Sequence, residues 1–188
     1  MNKVVSIFLL IVLGLSIHAQ KVVINSGHFY SVYDVELQCP QQVGWTVTPS
    51  DLGLANREPS WVFTQDVPHP LATGNHYDYS RTGYDRGHMC PALDRSRDLL
   101  TMRSTFVMSN IAPQAPSLNR GAWKKTESFC RSAALLYDTV QVLALPIFLN
   151  RDTMFLGSHR LAVPHAFVKA AWLPKNDSII GLWWFWNK

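Results

Sequence analysis

One amphipathic stretch constrains this chain more than any other feature. Placed at ~100° per residue, residues 119–137 set Ala122, Trp123, Cys130, Ala133, Ala134 and Tyr137 on one stripe. Lys124, Lys125, Ser128, Arg131 and Ser132 fall on the other side or its edge. The pattern predicts a substantial helix whose stripe faces protein. Around it lie segments of strand character: residues 30–37, continued by 42–47, then 105–111, 140–149, 162–172 and 178–186. Strands around one helix, with no regular βα alternation, predict an α+β fold.

The 188 residues are 47% hydrophobic and 16% charged, which suits one domain with a real core and excludes a disordered chain. Eleven prolines and ten glycines without a period exclude collagen-like sequence. The aromatic load reads first as core packing. Residues 1–19 carry Lys3, an apolar run broken by Ser6, Gly14 and Ser16, and Ile17-His18-Ala19 ahead of Gln20. That layout predicts a cleaved secretory signal peptide, a mature domain over 20–188, and a periplasmic or secreted protein without stable membrane insertion. The net charge of +4 is compatible with a polyanionic partner. Cys39, Cys90 and Cys130 form no CxxC, so a zinc knuckle is excluded and buried inert thiols are the default. Their count is odd and their pairing is left open.

Residues 56–84 are loop-like, with Pro59, Pro68, Pro70, Gly74 and Gly83. A long irregular stretch in a compact domain is usually functional. At its end, Asp85-Arg86-Gly87-His88 follows Gly83. The glycines permit tight turns and close approach to a ligand. A neutral imidazole, ordinarily with a pKa of ~6.5, can take a proton at His88. Arg86 can offer a forked donor to a phosphate or to Asp85. By spacing alone, a histidine in a turn is as well explained as structural.

Two residues break the helical stripe. Asn119 and Glu127 are polar positions on the apolar side. A carboxylate drawn onto such a face must be paired, metal-bound or protonated. The plain explanations are an N-cap for Asn119 and an i,i+4 pair with Arg131 for Glu127. The alternative is hard-cation chemistry, since an amide oxygen, ordered water and a carboxylate suit Mg²⁺ better than Zn²⁺.

Three blocks in order, Asp85-Arg86-Gly87-His88, Ser109-Asn110-Ile111-Ala112-Pro113-Gln114 and Asn119-x-Gly121-x-Trp123-x-x-x-Glu127, resemble the DNA/RNA non-specific endonucleases. These are the ββα-metal nucleases related to the Serratia nuclease and mitochondrial endonuclease G. The resemblance extends more weakly to Arg57, Phe63 and Asp66, to Pro146-Ile147-Phe148, and to Val163-Pro164 with Phe167-Val168-Lys169. It implies a mixed, mainly antiparallel central sheet with flanking helices and a ββα-metal (His-Me finger) site.

The resemblance implies His88 as general base and Asn119 as the protein ligand of Mg²⁺, with Mn²⁺ as a substitute. It makes Glu127 the carboxylate that holds a metal-bound water. Arg57, Arg86 and Arg131 become arginines at the phosphate, Asn110 a substrate-side asparagine that organises the centre, and Asp85 an orienting residue. The implied activity is phosphodiester hydrolysis of DNA and RNA. Different readings are a catalytically impaired nucleic-acid-binding protein, a phosphodiesterase for another ester, and a structural exported domain. The pattern departs from the family at Phe106, where some members carry a site asparagine, and at Leu145-Pro146, where Gly-Pro is usual. A homo-oligomer is left open.

Overall fold

The computed structural model describes residues 20–67, 71, 74–149 and 152–188. The expected signal peptide, Pro68 and Pro70 lie outside the described residues. Six strands form the main sheet: β1 (Lys21–Asn25), β2 (Tyr30–Asp34), β3 (Cys39–Val47), β6 (Val140–Ile147), β9 (Ala166–Leu173) and β10 (Ser178–Trp186), in that spatial order. Every ladder in it is antiparallel. Two short antiparallel pairs stand apart, β4 (Asp85–His88) with β5 (Ile111–Gln114) and β7 (Phe155–Leu156) with β8 (Leu161–Ala162). Among the described residues the α-helices longer than a single turn are α1 (Leu99–Arg103) and α2 (Lys124–Tyr137), and Pro116–Leu118 forms one further α-turn. The α+β, mainly antiparallel architecture is as expected.

Helix α2 lies on the sheet through small side chains. Cys130, Ala133 and Ala134 are buried and share a core with Val43, Trp45, Val140, Val142, Ala144, Phe167 and Ala171. Alanines let the helix backbone approach the strands closely. The predicted stripe fails at its two ends. Ala122 is exposed because residues Asn119–Trp123 form a π turn, with Gly121 at φ −106 and ψ −106, which shifts the helical phase before α2 begins. Tyr137 is half-exposed because the helix stops there, at Asp138 with φ 72.

The segment 105–111 is not a strand. Residues Met108–Asn110 form a 3-10 turn and the strand follows at Ile111–Gln114. The Asn110 side chain competes for backbone partners and bends the chain. It accepts from Cys90 N–H at 2.8 Å and donates to the carbonyls of Cys90 at 2.9 Å and Thr105 at 3.0 Å.

The irregular stretch 56–84 is tied to the same region. Asp66 accepts from the Ser109 N–H at 3.0 Å and the Ser109 hydroxyl at 2.5 Å. Thr64 and Val107 form an isolated parallel bridge. Cys39, Cys90 and Cys130 are free and buried, and burial raises each thiol's pKa, that of Cys130 to about 12.

Candidate active site

Strands β4 and β5, followed by the π turn and α2, make a ββα unit. Asp85 pairs with Gln114, and His88 with Ile111. Alternation along β4 sends Arg86 and His88 to one face and Asp85 and Gly87 to the other. Gly87 serves cross-strand packing and not the expected tight turn. A Cβ there would lie 2.5 Å from Gln114 Oε1 and 2.6 Å from its Cβ.

His88 sits in an aromatic box. Its ring centroid lies 5.2 Å from that of Phe63 and 4.9 Å from that of Phe106. The Nε2 atom is closed off from solvent and has no hydrogen-bond partner among the described residues. Burial, with the Arg57 guanidinium adding repulsion, lowers the imidazole pKa to about 3. Arg57 lies over Phe106 at 4.9 Å from the ring centroid. Phe106, the departure from the family pattern, is therefore a wall of this box.

Asn119 faces the opposite end of β4. Its Nδ2 donates to Asp85 Oδ2 at 2.9 Å, and no side-chain cap forms. Arg120 grips the same carboxylate, with Nε 2.9 Å from Oδ2 and Nη2 2.6 Å from Oδ1. Arg120, and to a lesser degree Asn119, hold the Asp85 pKa below its ordinary value against some desolvation. Fixing Nδ2 leaves Oδ1 as the end of the carboxamide that can accept.

Trp123 joins the two ends of the unit, because its Nε1 donates to the His88 carbonyl at 3.2 Å. One turn beyond is Glu127. Burial, with Asp94 adding to it, raises its carboxyl pKa to about 7 against the pull of Lys169, Arg131 and Lys124. The i,i+4 pair with Arg131 does not form. Arg131 donates from Nη1 to Asp94 Oδ1 at 2.9 Å and from Nη2 to Ser128 Oγ at 3.1 Å. Asp94 is buried and also accepts from Trp45 Nε1 at 2.8 Å.

The remaining expected residues divide. Arg57 is brought to His88, and Arg131 to the surroundings of Glu127. Arg86 is engaged elsewhere, with its Nε 3.0 Å from the His76 carbonyl and its guanidinium over Tyr79. Asn110 is fully buried with its carboxamide taken up by backbone. In this position it braces the end of β4 from behind. Sequence reasoning passed over Arg120, Asp94 and the inward-facing Lys169. The last was signalled by a charge at an alternate position of an apolar strand.

The donors suit a hard cation. Asn119 presents an oriented amide oxygen, and Glu127 is a half-buried acid that has no hydrogen-bond donor among the described residues and whose charged form would gain from a cation. Among the described residues no three His, Cys, Asp or Glu side chains cluster as a metal cage.

Comparison with known proteins agrees on one family. A model described as DNA/RNA non-specific endonuclease matches residues 10–184. The mitochondrial nuclease of Saccharomyces cerevisiae is 35% identical over 159 residues, covering 77% of this chain and 48% of that protein. The mitochondrial endonuclease G of Bos taurus is 33% identical over 126 residues, covering 62% of this chain and 42% of that protein. This chain thus spans about half the length of the curated relatives it matches. A crystal structure of an EndoG/EndoGI complex superposes with a TM-score of 0.79 at 25% identity, covering 88% of this chain and 74% of that one.

Proposed function

The chain belongs to the DNA/RNA non-specific endonuclease family, and we propose that it is a metal-dependent hydrolase of phosphodiester bonds in both DNA and RNA. The observation that carries this reading is the ββα unit. In it the His88 imidazole stands on a short strand and the Asn119 carboxamide, oriented by Asp85, on the helical segment packed along it.

His88 acts as general base. Its lowered pKa keeps the ring neutral across the working range, so a lone pair is always present to receive a proton from water. With Nε2 closed off, Nδ1 is the nitrogen that meets that water. General-base assistance of this kind is worth ~10²–10⁴-fold. Asn119 would hold the cation through its amide oxygen, with Asp85 fixing the amide from behind. Mg²⁺, or Mn²⁺ in its place, supplies charge stabilisation at the phosphoryl group and help for the leaving oxygen when bound. Glu127 accepts hydrogen bonds from water at that cation. Arg57 adds positive charge beside the base. Contacts of this kind address phosphate and not base edges, so sequence preference is weak and salt weakens binding.

We also propose export through the apolar leader, which makes the working enzyme periplasmic or secreted. Purified protein incubated with plasmid DNA and with RNA, with and without Mg²⁺, tests the activity. Cleavage of both, stopped by a chelator and restored by Mg²⁺ or Mn²⁺, is the expected result. No cleavage of either nucleic acid with either metal overturns the reading.

A further inference from the structure

The main sheet has two edges, and they differ. Strand β1 is five residues long and opens on Lys21. Strand β10 is nine residues long, and among the described residues only β9 pairs with it. From Ile179 to Trp186 it carries no charge and no proline. A strand edge is a row of open N–H and C=O groups, and charge, proline or short length usually keeps a second strand away. β10 has one such device, the bulge between Ile179 and Gly181, which interrupts the ladder there. The segment from Leu182 to Trp186 is regular and unguarded.

The side chains of this segment leave apolar surface on both sides of the edge. Alternation sends Trp183 and Phe185 inward, where Trp183 meets Phe129 of α2 and Phe185 meets Trp123. Leu182, Trp184 and Trp186 stand on the outer face and are 69%, 50% and 52% exposed. Ile179 is exposed beside them. On the inner side the apolar surface continues from Ile180 into a groove against α2, lined by Phe129, Leu136 and Tyr137, which are also exposed. The open parts of these side chains amount to on the order of 800 Å² around one strand. That exceeds the ~300–600 Å² of the largest apolar patch on an ordinary monomer. It is comparable with what each partner of a stable complex covers.

We propose that β10 is a dimer interface, at which two copies of this chain join strand to strand, antiparallel, about a two-fold axis at Trp184. An antiparallel edge is complementary to itself, and a contact of this isologous kind closes after two copies. The axis at Trp184 opposes Leu182 of each copy to Trp186 of the other, and the two Trp184 rings to one another. Cross-strand pairs of this aromatic and aliphatic kind are stabilising. The pairing spans the regular segment between the bulge and Asn187, whose side chain is held within its own chain at Ala115, Pro113 and Pro164. An uncharged edge offers no charge pattern to select a foreign peptide, whereas its own copy matches it in register. The contact uses neither His88 nor Asn119, so it stands apart from the hydrolase reading.

Sedimentation velocity of the purified protein over a micromolar concentration series should show a dimer. Trp184→Lys and Leu182→Lys each place an unpaired charge in the contact from an exposed position. Both should sediment as monomers where wild type is dimeric, with unchanged circular dichroism. Val23→Lys, an equally exposed position on β1, should remain dimeric. A monomeric wild type overturns the proposal, including one that instead binds phosphatidylcholine vesicles. A dimer that survives both β10 lysines, or one that Val23→Lys dissociates, overturns it as well. Should the lysine variants fail to fold, Trp184→Cys decides. Identical residues opposed across an antiparallel pair lie ~4.5–5.5 Å apart, which a disulfide spans, and the natural cysteines are buried. Mild oxidation of Trp184→Cys should give a covalent dimer, and its absence overturns the axis at Trp184.

Discussion

Asp85 and Asn119 are joined side chain to side chain across 34 positions of sequence, with Asn119 Nδ2 2.9 Å from Asp85 Oδ2. The contact decides which end of the carboxamide is free. An amide without that anchor can rotate and present N–H₂, which repels a cation. Outer residues that orient a metal ligand typically affect metal affinity by ~10–100-fold. Asp85→Ala should therefore weaken Mn²⁺ binding within that range, read by calorimetry without substrate. Arg120→Ala should weaken it less, because Asp85 keeps its bond to Asn119 and Arg120 is 71% exposed. Equal Mn²⁺ affinity in Asp85→Ala and wild type would contradict the orienting role.

His88 carries a prediction in both activity and stability. His88→Ala should lower turnover by ~10²-fold or more, as expected for loss of a general base, while circular dichroism shows the fold retained. Its pKa is lowered in the folded protein, from an ordinary 6.5 to about 3. The unfolded chain thus binds the proton more readily between those values, and stability is lost as pH falls through that window. His88→Ala removes this contribution. Its melting temperature should fall less steeply between pH 6.5 and pH 4 than that of wild type, by scanning calorimetry. Parallel curves would show that the imidazole is not held neutral.

The strands with the strongest alternation were legible from sequence. Residues 178–186 form β10 over the expected span. Residues 105–111 were misread because apolar content there looks like a strand. Nothing in local spacing shows that Asn110 will capture the backbone of Cys90, 20 positions away. At the site, polar residues on an apolar helical stripe singled out Asn119 and Glu127, which the fold sets on the turn and helix after β5. Their surroundings were not legible. The i,i+4 rule assigned Arg131 to Glu127, yet a buried acid from a distant turn outcompetes it, because Asp94 offers a desolvated partner where Glu127 offers only a helical neighbour. The π turn was invisible for a related reason: a constant 100° step cannot represent a phase shift.

Asn110 gives a test of the bracing role against the substrate-contact role first expected. Asn110→Ala leaves the Cys90 N–H and the carbonyls of Cys90 and Thr105 without their partner, inside a fully buried site. Each unsatisfied buried group costs ~1–3 kcal/mol. The variant should unfold at markedly lower urea concentration, with KM for nucleic acid changed little in the protein that remains folded. A large rise in KM at unchanged stability would restore the substrate-contact role.

Glu127 gives the pH dependence its acidic side. The charged carboxylate is the stronger acceptor for cation-bound water, and without metal burial puts its pKa at about 7. His88 is neutral far below that, so the fall of kcat/KM on acidification should report Glu127, and it should lie below pH 7 because a bound cation favours the carboxylate. Glu127→Gln should lose most activity and lose that limb as well. Stability should respond in the opposite sense to His88. A carboxyl whose folded pKa is raised from 4.5 to about 7 contributes stability below its unfolded value and loses it as pH rises through the folded one. Removing the charge by Glu127→Gln should therefore raise the melting temperature relative to wild type more at pH 8 than at pH 4. A gain of equal size at both pH values would mean that Glu127 is not held above its ordinary pKa by burial.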